Sequence, residues 1–398
     1  MLWADDFILL SDTAEGLQKQ MDGLFQFCSK NHMIVNELKT KCMLFGSYED
    51  KEIYFNNKKL EFVYKYKYLG IFINSVSRST SDVFKEHGEY IRNKAYKAIY
   101  SLANKTKHLG RLDPSFAFYL FDCFIKPILT YGSDIWGFNE NINNIIEKVH
   151  LRFLKNVLGV KRTCSTLMVL GDTGRYSLNI DTHLRLLINY QRLNNMTSDN
   201  LLCHVFDRSI QITNCGAITW IHNVVKIFKM YMCNVDTLYS KTLLKSTMMA
   251  VSNIRWKSSV SDSLNHPGLR LYKSFKNSVY FEPYLFIKNF KVRQAIAKLR
   301  LSCHMLEIEQ GRHKNVKLEK RLCTYCKMNV IESEIHFLVE CSYYENERNR
   351  FYSKLNINID NMSSDEIFLY LLLSRDIQHL SLLGKYIQTR FRKRCDSL

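Results

Sequence analysis

Two sets of side chains in this sequence have the types and spacing to do chemistry. Near the start, Leu2-Trp3-Ala4-Asp5-Asp6-Phe7-Ile8-Leu9-Leu10 sets two adjacent carboxylates between apolar runs of strand character. On a tight turn between two strands, such a pair can neutralise one or two Mg²⁺ (or Mn²⁺) ions, which clamp the attacking and leaving oxygens of a phosphoryl transfer. The second set is Cys323-x2-Cys326-x9-His336-x4-Cys341. Two close thiolates, followed by a His and a Cys about one helical turn apart, can close a tetrahedral Zn²⁺ site. With all four positions filled by protein, that zinc is structural rather than hydrolytic. The opposite reading is a reduced, buried cysteine cluster.

The elements that must position the first set read as strand, Asp-Asp turn, strand, helix, strand, basic turn, strand. Asp12 is placed to cap the helix, with Glu15 three residues on. Ala14, Leu17, Met21, Leu24, Phe25 and Cys28 recur at helical spacing. Met33-Ile34-Val35 and Cys42-Met43-Leu44-Phe45 read as strands around Asn36-Glu37-Leu38-Lys39-Thr40-Lys41. Residues 52–75 read as a further β unit turning at Phe55-Asn56-Asn57-Lys58. A long helix is expected from Asp82 to about His108. Asp113-Pro114-Ser115 starts the next helix, which Pro127 ends or kinks. Asn194 to Asn200 is the best linker candidate, with another boundary around Asn265-His266-Pro267-Gly268.

These motifs, in this order, resemble the later palm motifs of the reverse transcriptases of non-LTR (LINE-type) retrotransposons. The resemblance rests on Ala4-Asp5-Asp6, the amphipathic helix, Asn36-x-x-Lys39-Thr40-Lys41 and Tyr66-Lys67-Tyr68-Leu69-Gly70-Ile71. It continues through Ile128-Leu129-Thr130-Tyr131-Gly132-Ser133-Asp134-Ile135-Trp136, Leu158-Gly159-Val160 and Leu170-Gly171-Asp172-Thr173-Gly174 to the Cys-Cys-His-Cys knuckle. Residues from about 195 to 285 match poorly.

The resemblance implies an α+β partial polymerase palm at 1–75 with a primer-grip-like hairpin. A mainly α-helical thumb-like region at 76–193 would follow, then a helical extension of unread role at 194–285. The C-terminal region, 286–398, would hold the zinc knuckle (323–341) and a basic helical tail. Asp5 and Asp6 would be two of three Mg²⁺-associated carboxylates, and Lys39 would neutralise or protonate the leaving pyrophosphate. Tyr68, Leu69 and Gly70 would grip the primer end, and Trp3 would stand where the family usually has Tyr or Phe. Arg321 and Lys327, beside the knuckle, would reach nucleic-acid phosphates. Tyr131, Gly132 and Trp136 match packing positions, and His304 and Arg312 read as core or surface residues. The partners implied are an RNA template and a DNA primer or target.

Composition agrees. A formal charge of +18 and a pI near 9.3 call for a polyanionic partner or an anionic surface. Basic residues lie beside aromatics at Tyr64-Lys65-Tyr66-Lys67-Tyr68, at Lys226 and Lys229, and at Arg390-Phe391-Arg392-Lys393-Arg394. Such stretches suit a track for phosphates and bases. No apolar run approaches the ~20 residues of a membrane span. No secretory signal opens the chain, so it is expected inside the cell, in cytoplasm or nucleus, and not secreted. The twelve cysteines then read as reduced thiols, those outside the knuckle as small buried hydrophobes.

A polymerase of this kind also needs a third carboxylate and a fingers region, both expected upstream of residue 1. The chain alone is therefore expected not to polymerise DNA, although it is an RNA-directed DNA polymerase by family. Two other readings stay open: a non-catalytic, zinc-dependent RNA/DNA-binding module, and a decayed gene relic.

Overall fold

The computed structural model describes residues 2–3, 6–46, 52–75, 82–196, 201–262, 267–355 and 361–396. The chain is mostly helical with a few short strands.

Among the described residues the strands form four separate two-stranded ladders rather than one continuous sheet. Leu2–Trp3 pairs antiparallel with Asp6–Phe7, in the register Trp3 opposite Asp6. The first helix, Ala14–Lys30, is capped by Thr13, whose hydroxyl accepts from the Gly16 amide at 3.0 Å. The cap is thus one residue beyond the expected Asp12. Met33-Ile34-Val35 is not a strand, because Lys41–Cys42 takes Glu61–Phe62 as a parallel partner instead and leaves Ile34 97% exposed. Tyr54–Phe55 and Lys58–Lys59 form the expected hairpin, with Asn56 and Asn57 at φ 47° and 61°. A positive φ at both turn residues matches the right-handed twist of the flanking strands, and Asn tolerates it.

Lys65–Tyr68 and Ile71–Asn74 form a second hairpin, turning at Leu69 (φ 45°) and Gly70 (φ 86°). Its tip is pinned to the helical region. The Tyr131 hydroxyl donates to the Leu69 carbonyl at 2.9 Å, and a Cβ on Gly70 would lie 3.0 Å from the Tyr131 ring. Trp136 Nε1 donates to the Tyr131 carbonyl at 2.9 Å, and buried His87 sits against the Trp136 ring.

Helix His87–Lys105 packs on Glu140–Leu158, which Asn139 caps and Gly159 ends in the left-handed conformation. Ile142, Ile146, Val149, Leu154 and Leu158 recur at helical spacing and are all buried. The N-terminal end of that stripe joins a core with Ile91, Phe121 and Trp136, and its C-terminal end joins the largest core of the molecule. Pro127 does not end its helix. Pro114–Leu120 widens into a π-helical turn at Phe121–Ile125 and then continues as Lys126–Leu129. The wide turn accommodates the amide that Pro127 lacks.

Leu201–Asn214, Trp220–Met230 and Lys241–Ser261 are three helices on a core of their own with Ile180, Leu184 and Leu187. Residues 197–200 of the linker candidate, and 265–266 of the second boundary, lie outside the described residues. In the largest core, Phe290–Arg300 packs along the C-terminal helix Ile377–Asp396. The two approach so closely at Gly384 that a Cβ there would stand 2.7 Å from the Val292 carbonyl oxygen. No helix among the described residues is long and apolar enough to cross a membrane.

Candidate metal centre and nucleic-acid interface

The four ligand candidates of the knuckle come together. Their donor atoms all lie within 4.8 Å of one another, and no other group of three or more such residues occurs among the described residues. Two local elements supply them. The first is a β-bridge between Leu322 and Ile331, tightened by the Cys323 amide donating to the Val330 carbonyl at 2.8 Å. It holds Cys323 at its base and Cys326 in its turn. The second is the π-helical turn His336–Glu340, closed by the Cys341 amide donating to the His336 carbonyl at 2.8 Å. That turn presents His336 and Cys341 on one side.

The geometry suits zinc. Cys323 Sγ and Cys341 Sγ are 4.0 Å apart, and Cys326 Sγ is 3.4 Å from His336 Nε2. A tetrahedral ion with Zn–S of ~2.3 Å and Zn–N of ~2.05 Å has S–S and S–N edges of about 3.8 and 3.5 Å. With Nε2 turned to the thiols, His336 Nδ1 is buried without a hydrogen bond and 3.6 Å from the Glu340 carboxylate. A small rotation of the exposed Glu340 side chain would bring its carboxylate to that nitrogen, the contact that orients a metal-bound ring and raises its basicity. The hydrogen bond from Cys341 pulls the Cys323 thiol well below its usual range, so one sulfur of the pair is ready to be a thiolate. The donor set of three cysteines and a histidine can hold a metal ion.

The C-terminal helix braces this centre. Arg390 donates to the Phe337 carbonyl and, at 3.4 Å, to that of Tyr344. Tyr386 donates to the Leu338 carbonyl at 3.0 Å. Arg394 pairs with Glu332, one contact at 2.9 Å, and Lys393 pairs with Glu347 at 2.8 Å. This corrects the sequence reading of 390–394 as an exposed basic track: Arg390 is fully buried and Arg394 6% exposed. Arg321 is likewise occupied, donating to the Val316 and Ile308 carbonyls at 2.9 and 3.0 Å. Arg348 donates to the Cys341 carbonyl at 2.9 Å. Lys320, Lys327 and Arg350 are exposed. Glu332 and Glu334 do not weaken the positive surface, because both are buried in ion pairs.

Glu334 accepts from His304 Nε2 at 2.9 Å and from Arg270 at 2.6 Å. Burial works against its ionised form, but the hydrogen bond and charge of His304 and the charge of Arg270 prevail and bring it down to about 2. A depressed carboxyl stabilises the fold above its unfolded value, about 4.3, and the contribution fades as pH falls toward about 2. Glu334→Gln should therefore be less stable than the parent by about 3–5 kcal/mol at pH 7. The gap should narrow below pH ~4.3, as read by urea midpoints at each pH. A gap independent of pH would sink the assignment.

The N-terminal candidates are placed more sparsely. Asp5 lies outside the described residues, as does the side chain of Trp3, while Asp6 is exposed opposite Trp3. Lys39 is exposed in a turn that Asn36 builds, its side chain accepting from the Lys39 amide at 3.2 Å. The Tyr66 hydroxyl donates to the Lys39 carbonyl at 3.1 Å, joining that turn to the hairpin that carries Tyr68, Leu69 and Gly70. In the basic-aromatic stretch of that hairpin, Lys65 pairs with Glu86 at 2.9 Å and Lys67 stands over the Tyr90 ring. All twelve cysteines are free, and of those outside the knuckle Cys123, Cys215 and Cys395 are exposed rather than buried.

Sequence reasoning missed the brace from Arg390, Arg394 and Tyr386, for which spacing carries no signal. It also missed Glu340, whose position four residues after His336 could have shown it.

No family model matches the chain. A transposon-derived protein of Caenorhabditis elegans is 27% identical over 165 residues, covering 40% of this chain and 57% of that protein. The match thus spans little more than half the length of this relative, and its homology points to a mobile-element origin for the chain.

Proposed function

We propose that the chain is the C-terminal portion of a non-LTR retrotransposon reverse transcriptase, holding a structural Zn²⁺ and binding RNA and DNA. The Cys-Cys-His-Cys cluster, whose four donor atoms converge, carries this reading. Its place after the palm-like and thumb-like motifs matches the order in that family, and the transposon-derived relative supports it. In this reading Cys323, Cys326, His336 and Cys341 hold zinc, and Lys327, Lys320 and Arg350 meet phosphates beside it. Arg321 supports the fold of the module more than it contacts the ligand. Asp5 and Asp6 are the Mg²⁺ carboxylates by descent, Lys39 attends the pyrophosphate, and Trp3 and Tyr68-Leu69-Gly70 lie along the primer. The RNA template and DNA primer are the partners.

A zinc-dependent binding module without chemistry is the second reading. It is favoured by the convergence of the Cys-Cys-His-Cys donors beside exposed Lys320 and Lys327, which needs no carboxylate. Two aspartates alone hold Mg²⁺ weakly, because the ion demands near-octahedral oxygen coordination.

The test is zinc content of the purified chain together with salt-titrated binding to structured RNA and single-stranded DNA. One zinc per chain is expected, with affinity falling steeply as salt rises. No zinc and no binding would end both readings. The same chain should give no template-dependent primer extension with Mg²⁺ or Mn²⁺, and extension by it would overturn the second.

A further inference from the structure

Two cysteines outside the knuckle stand together in the largest core. Cys164 and Cys303 are 5% and 7% exposed and belong to one cluster of apolar side chains. A tight turn fixes each of them. The Cys164 amide donates to the Lys161 carbonyl at 3.0 Å, in the loop between helix Glu140–Leu158 and helix Thr166–Thr173. Cys303 lies just past helix Phe290–Arg300. There the Ser302 amide donates to the Leu299 carbonyl at 3.3 Å and the Cys303 amide to that of Lys298 at 2.8 Å, around Ser302 at φ 50°. Those two bonds make a Schellman ending, in which Cys303 is the residue that folds back over the last helical turn.

The two turns bring the thiols onto each other. Cys164 Sγ lies 3.7 Å from the Leu301 carbonyl oxygen, and the two thiols interact directly. The pair is unequal. Contact with the Cys164 thiol pulls Cys303 below its usual range against the effect of burial, helped by the Lys161 amide and by the charges of Lys161 and Lys155. The same contact and burial push the Cys164 thiol well up. Lys155 is fixed over the loop by donating to the Arg162 carbonyl at 2.8 Å. One sulfur is thus the readier thiolate and the other stands beside it still protonated, the arrangement of an attacking and a resolving cysteine. Only the exposed residues 161–163 separate the Cys164 turn from the end of helix Glu140–Leu158 and its cap Gly159-Val160.

We propose that Cys164 and Cys303 form a reversible dithiol–disulfide pair that answers to peroxide and staples the loop 159–165 to the end of helix Phe290–Arg300. Cys303, as thiolate, attacks one oxygen of hydrogen peroxide. The O–O bond breaks, an S–O bond forms and hydroxide leaves; the sulfur gives up two electrons and the peroxide takes them. The Cys164 sulfur then attacks the sulfenic sulfur. The S–O bond breaks, the S–S bond forms, and the hydroxyl departs as water with the Cys164 proton. A dithiol reductant reverses the change by exchange and is itself left as a disulfide. The staple reaches toward the knuckle, because Cys303 adjoins His304, whose Nε2 meets Glu334 at 2.9 Å two residues ahead of His336.

The experiment treats the purified full chain with hydrogen peroxide, alkylates the remaining thiols in denaturant and maps unreduced peptides by mass spectrometry. The expected product is a cross-link between the peptides holding Cys164 and Cys303, two hydrogens lighter than the paired thiols and lost on adding dithiothreitol. Cys164→Ala and Cys303→Ala are compared with the control Cys123→Ala at an exposed thiol. Dimedone, which traps sulfenic acids, should label Cys303 in Cys164→Ala and leave Cys164 unlabelled in Cys303→Ala, while Cys123→Ala keeps the cross-link. Circular dichroism checks that each variant folds; if a core variant does not, the cross-link in the parent decides by itself. Oxidation of Cys123 in a parent whose Cys164 and Cys303 remain fully alkylated overturns the proposal. So does a disulfide from either core thiol to any other cysteine, or a dimedone label on Cys164 in place of Cys303.

Discussion

Cys341→Ser should strip the metal from the chain and unfold the region around it, with an effect of several kcal/mol. Cys341 is fully buried and 4.0 Å from Cys323, so it contributes both a sulfur ligand and core volume. Structural zinc supplies an apparent ~10–16 kcal/mol in isolated zinc-finger peptides, and a serine hydroxyl does not replace a thiolate. The loss would also spread. Cys341 belongs to the same core as Phe337, Leu338 and Tyr344, onto which the C-terminal helix folds through Arg390 and Tyr386. The parent should carry one zinc per chain and, with Co²⁺ in its place, show thiolate-to-metal charge-transfer absorption. The variant should lose the metal, weaken that absorption and become open to proteolysis between 320 and 345. A variant that keeps one zinc and the parent's denaturation midpoint would show that Cys341 is only a buried thiol.

The second large effect is expected at Asp172. Its carboxylate is wholly buried and accepts four hydrogen bonds: from the Tyr272 hydroxyl at 2.8 Å, the Tyr284 hydroxyl at 3.0 Å, and Arg300 Nε and Nη2 at 3.0 and 3.2 Å. Asp172→Asn keeps the shape but removes the charge, and turns an NH₂ toward donors it cannot satisfy. Arg300, only 2% exposed, would then share Glu282 with Lys276 as its remaining counter-charge. Breaking a buried pair in this way costs about 3–5 kcal/mol. Arg300→Met should cost a similar amount. Asp172→Asn/Arg300→Met should lose less than the sum of its single changes, because the second change removes a charge that the first leaves unpaired. Urea denaturation of the four proteins reads this cycle. Strict additivity, or Asp172→Asn within about 1 kcal/mol of the parent, would refute the idea that Asp172 anchors this part of the core.

Spacing along the chain revealed some of this and could not reveal the rest. The Asn56-Asn57 turn, the Asp113-Pro114 helix start and the helical recurrence from Ala14 to Cys28 were all legible, because each depends on neighbours within a few residues. The four knuckle residues were legible because metal ligation restricts both the types and the spacing of its donors. Leu170-Gly171-Asp172-Thr173-Gly174 stood out as a string, yet the partners of Asp172 lie 100 to 128 residues away, so its work as a charged hub was invisible. Met33-Ile34-Val35 had the composition of a strand but lost to a parallel pairing between segments twenty residues apart. Pairing is a contest among all candidate edges, which no single segment records.

Residue types and their spacing set the chemistry on offer: a zinc-type donor set, a carboxylate pair, a strong positive charge and helices with apolar stripes. Which charges remain for a partner depends on how the chain packs. Arg321, Arg390 and Arg394 are consumed by carbonyls and carboxylates inside the fold, whereas Lys320, Lys327 and Arg375 stay exposed. A basic residue looks the same in a sequence whichever fate it meets. The difference lies in desolvation, because a buried cation must find its counter-charge within the protein while an exposed one is left to find it elsewhere.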